Sequence, residues 1–292
     1  MTAPQHLPIR CVTLFYNCRR EEAYPVMLQA AEQLRQCGVE ALLCSDSDLP
    51  AQDFVHRVTM QESMERSDMA IVIGGDGSIL RVAANAAPRG IPILAVNMGH
   101  LGFMSELEPT ELDQIPSIIQ GNFRLDSRMM LKASVIRSHG DVTLGHVLND
   151  VVINRSHSGR MLDLDVYADD EHVLNVHADG VIVATPTGST AYSLAAGGPI
   201  IEPAAENIII TPVCAHGLYA KSLVFSPRRQ VRICVHQDAQ MSLDGQDIVA
   251  LSQDNAISVT RSPYVTDLAR IYNKSVFDVI RNKLTYPAHP GG

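Results

Sequence analysis

The residues best suited to chemistry lie in AIVIGGDGSILRVA, residues 70–83, where Asp76 sits between Gly75 and Gly77 at the end of an apolar run. A carboxylate on a glycine loop is either a helix cap, a role Ser78 could share, or a group that must reach a ligand. Helical periodicity follows the loop, and a helix N-terminus offers unpaired N–H groups and a positive dipole end to anions. Neither common phosphate fingerprint is present: there is no GxxxxGK[ST], and Leu80 stands where GxGxxG needs its third glycine. Without a P-loop lysine, phosphate charge must be offset by backbone amides and Mg2+.

Two further segments share this character. The apolar run IPILAVN ends in NMGHLGF (97–103), which again places glycines, Gly99 and Gly102, at the carboxyl end of a strand. That edge is where ligands sit in open α/β sheets. ADGVIVATPTGSTAYSLAAGGPI (178–200) runs a strand into a turn dense in hydroxyls and glycines, suited to phosphates, ribose and base edges. Within it Tyr192 either packs in the core or stacks on a ring, and Ser189 and Ser193 have no neighbouring base that would make them nucleophiles. VLNDVV (147–152) sets Asn149 and Asp150 inside an otherwise apolar strand, a costly placement unless a partner or ligand satisfies them. LDGQ (243–246) reads as a turn.

These loops need a scaffold, and two textures supply it. Up to about residue 125 strands alternate with helices: strands at 10–16, 39–44, 69–73 and 91–97, and helices at 22–37, from about Ser78 to Ala87, and from Pro109 to Gly121. Short apolar strands alternating with helices predict a parallel sheet covered on both faces. From about residue 126 the pattern is β: MLKASVIRS, VTLGHVLNDVVINR as one strand, MLDLDVYAD and EHVLNVHA joined at Asp169-Asp170, then NIIIT, LVF, QVRICV, AQMSLDG and AISVT. The last stretch, TDLARIYNKSVFDVIRNKL, reads as helical and needs a host to pack on. The expected fold is therefore an α/β domain with a parallel sheet, residues 1–125 with 268–292 packing back on it, plus a β-rich domain over 126–267.

Composition narrows the function. The 292 residues are 46% hydrophobic and 19% charged, as in a globular protein rather than a disordered one. No apolar run reaches the ~20 residues that cross a bilayer, and the first residues lack a signal-peptide layout, so a cytoplasmic protein without a membrane is expected. A net charge of -9 argues against nucleic acid, which needs a basic face, but not against a small anionic ligand. Six scattered cysteines with no CxxC read as reduced, mostly buried thiols, and the eleven histidines show no ligand spacing, so no protein-built metal site is expected.

In this order GGDGSILR, NMGHLGF, LNDVVINR, DGVIVATPTGSTAYSLAAGGPI and DGQ resemble the NAD kinase family over about residues 70–246. Lipid and sugar kinases share a GGDG loop but not the later motifs. The resemblance implies transfer of the terminal phosphate of ATP to the 2′-hydroxyl of NAD's adenosine ribose, giving NADP. Asp76 then matches the general base, and Gly74, Gly75, Gly77, Ser78 and Arg81 the phosphate loop. Asn97, Gly99 and Phe103 match the second loop, and Asn149 and Asp150 the pair that holds adenine and ribose. His177 and Asp179 match the ADG element near the nicotinamide end, and Thr187, Ser189, Thr190, Ala191 and Tyr192 the cradle of the adenosine half, with Gln246 in DGQ. The family implies Mg2+ or another divalent cation on the ATP phosphates, NAD and ATP as small-molecule partners, and a homodimer or homotetramer. Departures are Ser78 for the usual Thr, Asp150 for Glu, His177 for a frequent Arg and Lys221 near a usual Arg. The rival readings are another GGDG-loop kinase and a nucleotide sensor that only binds.

Overall fold

The computed structural model describes residues 9–44, 55–99, 102–136, 140–156, 160–217, 221–253, 255–273 and 276–284. Residues up to Ser127, together with those from Thr266 onward, form one compact unit, and Arg128–Val265 form the other.

The first unit carries β1 (Cys11–Tyr16), α1 (Ala23–Gln36), β2 (Glu40–Cys44), β3 (His56–Val58), α2 (Met60–Arg66), β4 (Met69–Gly74), α3 (Asp76–Ala86), β5 (Ile93–Asn97) and α4 (Ile115–Ile119). Its strands are all parallel, in the order β3-β2-β1-β4-β5. All six residues of β4 are buried because helices cover both faces, which is why its sequence is apolar without alternation. On one face Leu14, Ile71, Ile73 and Leu94 join Met27, Ala30, Ala31 and Leu34 of α1 and Ile115 and Ile118 of α4 in a single core. Each such large side chain fully removed from water contributes about 1.5–3 kcal/mol. Against the other face α3 buries Ile79, Val82, Ala83 and Ala86.

The second unit begins within β6 (Arg124–Ile136) and continues through β7 (Val142–Val147), β8 (Asp150–Arg155), β9 (Leu162–Ala168), β10 (Glu171–Ala178), β11 (Gly180–Ala184), α5 (Tyr192–Ala195), β12 (Ile208–Val213), β13 (Leu223–Phe225), β14 (Val231–Val235), β15 (Ala239–Leu243), β16 (Gln246–Leu251) and into β17 (Ala256–Arg270). Six strands form an antiparallel sheet in the order β13-β12-β11-β8-β15-β16. Strands β10, β9, β14 and β17 pair antiparallel in that order, and β6 pairs with β7. Apolar side chains of these strands share one core, including Leu131, Ile153, Leu164, Val181, Ile233 and Met241. Alternation is plain in β9, where Leu162, Leu164 and Val166 point inward while Asp163 and Asp165 are only part-buried. The chain then ends its described part in α6 (Val276–Leu284).

Several sequence expectations are corrected. Residues 142–155 are two strands, not one: the chain breaks at Leu148-Asn149, so Asn149 lies between strands and Asp150 opens β8. Thr266–Arg270 is strand rather than helix, since Leu268 pairs in parallel with Ile93 of β5 and Thr266, Leu268, Ala269 and Arg270 are all buried there. Helix resumes only at Val276, where Val279 is buried and Phe277 is exposed. After Pro109 a 3-10 turn over Pro109–Gln114 precedes the short α4, because Glu111 leaves helical φ/ψ to complete a reciprocal cap with Glu108. β3, α2 and β16 were not foreseen from the sequence. The thiols are not mostly buried: Cys11 is, but Cys18, Cys37 and Cys214 are exposed.

Candidate active site

In the first unit the glycine-rich loops leave the carboxyl ends of β4 and β5, as a parallel sheet requires of its strand-to-helix turns. The cap reading of Asp76 and Ser78 fails. Gly75 is the N-cap of α3, in an extended conformation, and no side chain caps the helix. Asp76 is instead the first helical residue and points across to the next loop, where Oδ2 accepts the Phe103 N–H at 3.0 Å and Oδ1 the Met104 N–H at 3.3 Å. A Cβ on Gly102 would run into Oδ1 of Asp76 and come within 2.8 Å of Ser105 Oγ, so only glycine lets the loop close on the carboxylate. Gly74 is required by Ser78, whose hydroxyl occupies the place of a Cβ, while Gly75 and Gly77 have nothing within 4 Å of theirs. Open space over a helix N-terminus is thus confined to those two glycines.

Other residues expected here shape the loop. Asn97, buried at the end of β5, donates to the Gly99 carbonyl at 3.0 Å and to Glu108 Oε1 at 3.1 Å and accepts the Gly99 N–H at 3.3 Å. Gly99 is exposed, with the Arg20 guanidinium 2.9 Å from where its Cβ would be and donating to the Met98 carbonyl. Arg81 is exposed on α3, and Phe103 is part-buried. Part of NMGHLGF, His100 and Leu101, falls outside the described residues. The 104–106 segment is buttressed by Arg270, 7% exposed, which donates to the carbonyls of Met104 at 2.9 Å and Ser105 at 3.1 Å and pairs with Glu106 at 3.1 Å.

In the second unit the hydroxyl-rich turn after β11 packs on the break before β8. Thr185 donates its N–H to the Asn149 carbonyl at 2.8 Å and its hydroxyl to the Leu148 carbonyl at 2.6 Å. A Cβ on Gly188 would strike the Asn149 backbone, so the two segments touch only because that position is glycine. The loop hydroxyls serve the loop itself: Ser189 Oγ donates to the Pro186 carbonyl at 2.6 Å and accepts the Ile201 N–H at 3.0 Å, and Thr190 donates to the Thr187 carbonyl at 3.0 Å. Thr187 is buried with the Arg128 guanidinium 3.4 Å away. Ala191 is part-buried beside Tyr192, which at 42% exposed is not a core residue.

Asn149 is 9% exposed, and its Oδ1 is a buried acceptor without a hydrogen-bond partner. Such an atom costs about 1–3 kcal/mol unless a ligand supplies the donor. Beside it Asp150, 5% exposed, has its carboxyl pushed up to about 7, first by burial and then by the charge of Asp244. Asp244 itself is pushed up to about 6 by burial, against the opposing pull of three backbone N–H groups. In the sequence LDGQ reads as a turn and points to Gln246, part-buried two residues on, with no local sign of the role of Asp244.

His177 and Asp179 are not with this group. They lie before β11, at the end opposite Thr185, about 16 Å of extended strand away. There Asp179 faces Arg155 at 3.3 Å, and exposed His177 meets Asp163 at 2.7 Å. Among the described residues no cluster of His, Cys, Asp and Glu could by itself hold a metal ion.

A doubly covered parallel sheet with an acid on a glycine loop, joined in one chain to an antiparallel unit with a hydroxyl-rich turn, defines a nucleotide-binding phosphotransferase. The comparisons give the family. Residues 12–123 match the ATP-NAD kinase N-terminal domain and residues 148–271 the ATP-NAD kinase C-terminal domain. An NAD kinase of Caldanaerobacter subterraneus subsp. tengcongensis is 44% identical over 234 residues, covering 79% of this chain and 83% of that protein. One of Ruminiclostridium cellulolyticum is 34% identical over 274 residues, covering 92% and 95%. Among solved structures, yeast NADH kinase complexed with NADH superposes with a TM-score of 0.86 at 25% identity, over 97% of this chain and 92% of that one. An NAD kinase from Archaeoglobus fulgidus in complex with ATP shares the fold, with a TM-score of 0.72 at 23% identity over 94% and 98%. The chain belongs to the NAD kinase family.

Proposed function

We propose that this NAD kinase family member moves the terminal phosphoryl group of ATP onto the 2′-hydroxyl of NAD's adenosine ribose with Asp76 as the base and Asn149 as the adenine anchor. The observation that carries the residue assignment is the orphaned acceptor of Asn149: a buried Oδ1 with no donor suits the exocyclic amino group of adenine. Asp150 stands next in the chain for the ribose, and Thr187, Ser189 and Thr190 hold the shape of the adjoining turn.

In the reaction the O2′–phosphorus bond forms as the bond between the γ-phosphorus and the bridging oxygen breaks, so ADP leaves in line with the attack. The hydroxyl proton passes to Asp76. Each of its oxygens accepts one backbone N–H and keeps a lone pair, so the carboxylate is fixed in direction yet free to take that proton. A positioned base contributes on the order of 10²–10⁴-fold. The open faces of Gly75 and Gly77 give the phosphates access to N–H groups at the start of α3. A divalent cation fits here as a phosphate-borne ion: no cluster of His, Cys, Asp and Glu among the described residues could hold one by itself, so phosphate oxygens and water would make up its shell. Such an ion neutralises phosphate charge, which no P-loop lysine does here.

A homodimer or homotetramer working in the cytoplasm completes the reading. Ile248, 72% exposed on β16 at the edge of its sheet, supports self-association, and no helix among the described residues is long and apolar enough to cross a membrane. The test is to incubate the protein with NAD, ATP and Mg2+ and follow NADP with an NADP-specific dehydrogenase. A protein that binds NAD but forms no NADP would be the sensor instead, and one that phosphorylates a lipid or sugar but not NAD would be another GGDG-loop kinase.

A further inference from the structure

The hairpin between β15 and β16 turns on Asp244 and Gly245, with φ of 49° and 71°. Two left-handed residues make the tight turn that Asn-Gly or Asp-Gly favours, and an asparagine would serve it as well. The carboxylate does more than the turn needs. Oδ2 accepts the Leu148 N–H at 2.8 Å, and Oδ1 accepts the N–H groups of Asn149 at 2.7 Å and Asp150 at 3.1 Å. The Asp244 N–H in turn donates to the Asp150 carbonyl at 3.0 Å, while Thr185 takes the carbonyls of Leu148 and Asn149. Every backbone donor and acceptor of Leu148, Asn149 and Asp150 described above is thereby assigned to a fixed partner.

We propose that Asp244 is a positioning residue for the dinucleotide: its carboxylate fixes the Leu148–Asp150 backbone so that Asn149 and Asp150 present their side chains to the adenosine half. The inference rests on the proposed roles of those two residues. Three donors converging on two oxygens require an ionised carboxylate, since an amide has one acceptor atom. Keeping that charge next to Asp150 is unfavourable for the fold alone: burial raises both carboxyls, and the charge of Asp244 raises that of Asp150 further. The strip is held where it is because a ligand needs it there.

The test uses the full-length protein with Asp244→Asn and Asp244→Gly, varying NAD and ATP separately while NADP formation is followed. Glycine accepts the positive φ without strain, and asparagine keeps one acceptor and tolerates it, so neither variant strains the turn, and circular dichroism establishes that each is folded before rates are compared. The expected result is a KM for NAD raised about tenfold or more in the glycine variant and less in the asparagine variant, with the KM for ATP within about twofold. Combined with Asn149→Ala, the change should add little, because both act through the same contact. An unchanged KM for NAD, an equal rise in both KM values, or full additivity with Asn149→Ala would each overturn the proposal. A wild-type protein that makes no NADP would instead refute the function on which it rests.

Discussion

Replacing Asp150 by asparagine should stabilise the protein, and increasingly so as pH rises. The side chain is 5% exposed, and burial together with Asp244 pushes its carboxyl from 3.8 to about 7. Between those two values the native state holds a proton that the unfolded chain has released. Native stability therefore falls as pH climbs from about 4 towards 7, the reverse of a salt-bridged acid. A rise of about three pH steps at ~1.4 kcal/mol each amounts to about 4 kcal/mol, fully incurred above neutrality.

An asparagine carries no charge to desolvate, so wild type and variant should be within about 1 kcal/mol at pH 5, and the variant ahead by about 2–4 kcal/mol at pH 8. Asp244, raised to about 6, leaves the variant a weaker fall over the same range. Urea unfolding followed by far-ultraviolet circular dichroism at pH 5, 6, 7 and 8 reads the difference directly. Parallel stability–pH curves for the two proteins, or a variant weaker at pH 8, would refute the reasoning, because either means that Asp150 carries no buried charge.

Other substitutions test other contacts. Asp76→Asn should lower turnover by roughly 10²–10⁴-fold and leave NAD binding within about tenfold; since its amide would face an N–H of the 103–104 pair, denaturant unfolding should also show a loss of about 1–3 kcal/mol. Gly188→Ala drives a methyl into the Asn149 backbone, so the KM for NAD should rise at least about tenfold while that for ATP holds within about twofold, read by initial rates. Arg270→Met removes the guanidinium paired with buried Glu106 and donating to the Met104 and Ser105 carbonyls, so unfolding should show a loss of about 3–5 kcal/mol; turnover should fall too, because Arg270 braces those carbonyls behind the Asp76 loop.

The elements that bury both faces were plain in the sequence. β4 and β5 are unbroken apolar runs between turn signals, and α1 repeats its buried alanines, leucine and methionine at helical spacing. The departures from local pattern are tertiary in origin. Thr266–Arg270 has helix-tolerant residues and becomes strand because an open edge beside β5 accepts it. Asn149 looked like a polar intrusion into a strand, whereas the chain stops pairing there and turns its N–H groups to a carboxylate 95 residues further on. No local pattern announces a partner at that distance.

The Asp-Gly pairs show how far a motif can be taken. This dipeptide occurs at 76–77, 179–180 and 244–245, and all three pairs fall in the segments that resemble the family. Gly77 leaves open space over a helix N-terminus, Gly180 lets β11 pass against the backbone of Ile153 and Asn154, and Gly245 supplies a left-handed φ of 71°. The aspartates divide differently. Asp179 faces a guanidinium, but Asp76 and Asp244 both turn their carboxylates onto backbone N–H groups of a separate segment. In each of the two units, then, one aspartate gathers backbone N–H groups of a segment distant in sequence. They part company in what remains exposed to a ligand: Asp76, with two N–H bonds, keeps a lone pair on each oxygen for a proton, whereas Oδ1 of Asp244 already serves two donors. On the proposed roles, the same residue type in the same local motif serves as a base in one unit and as a brace in the other.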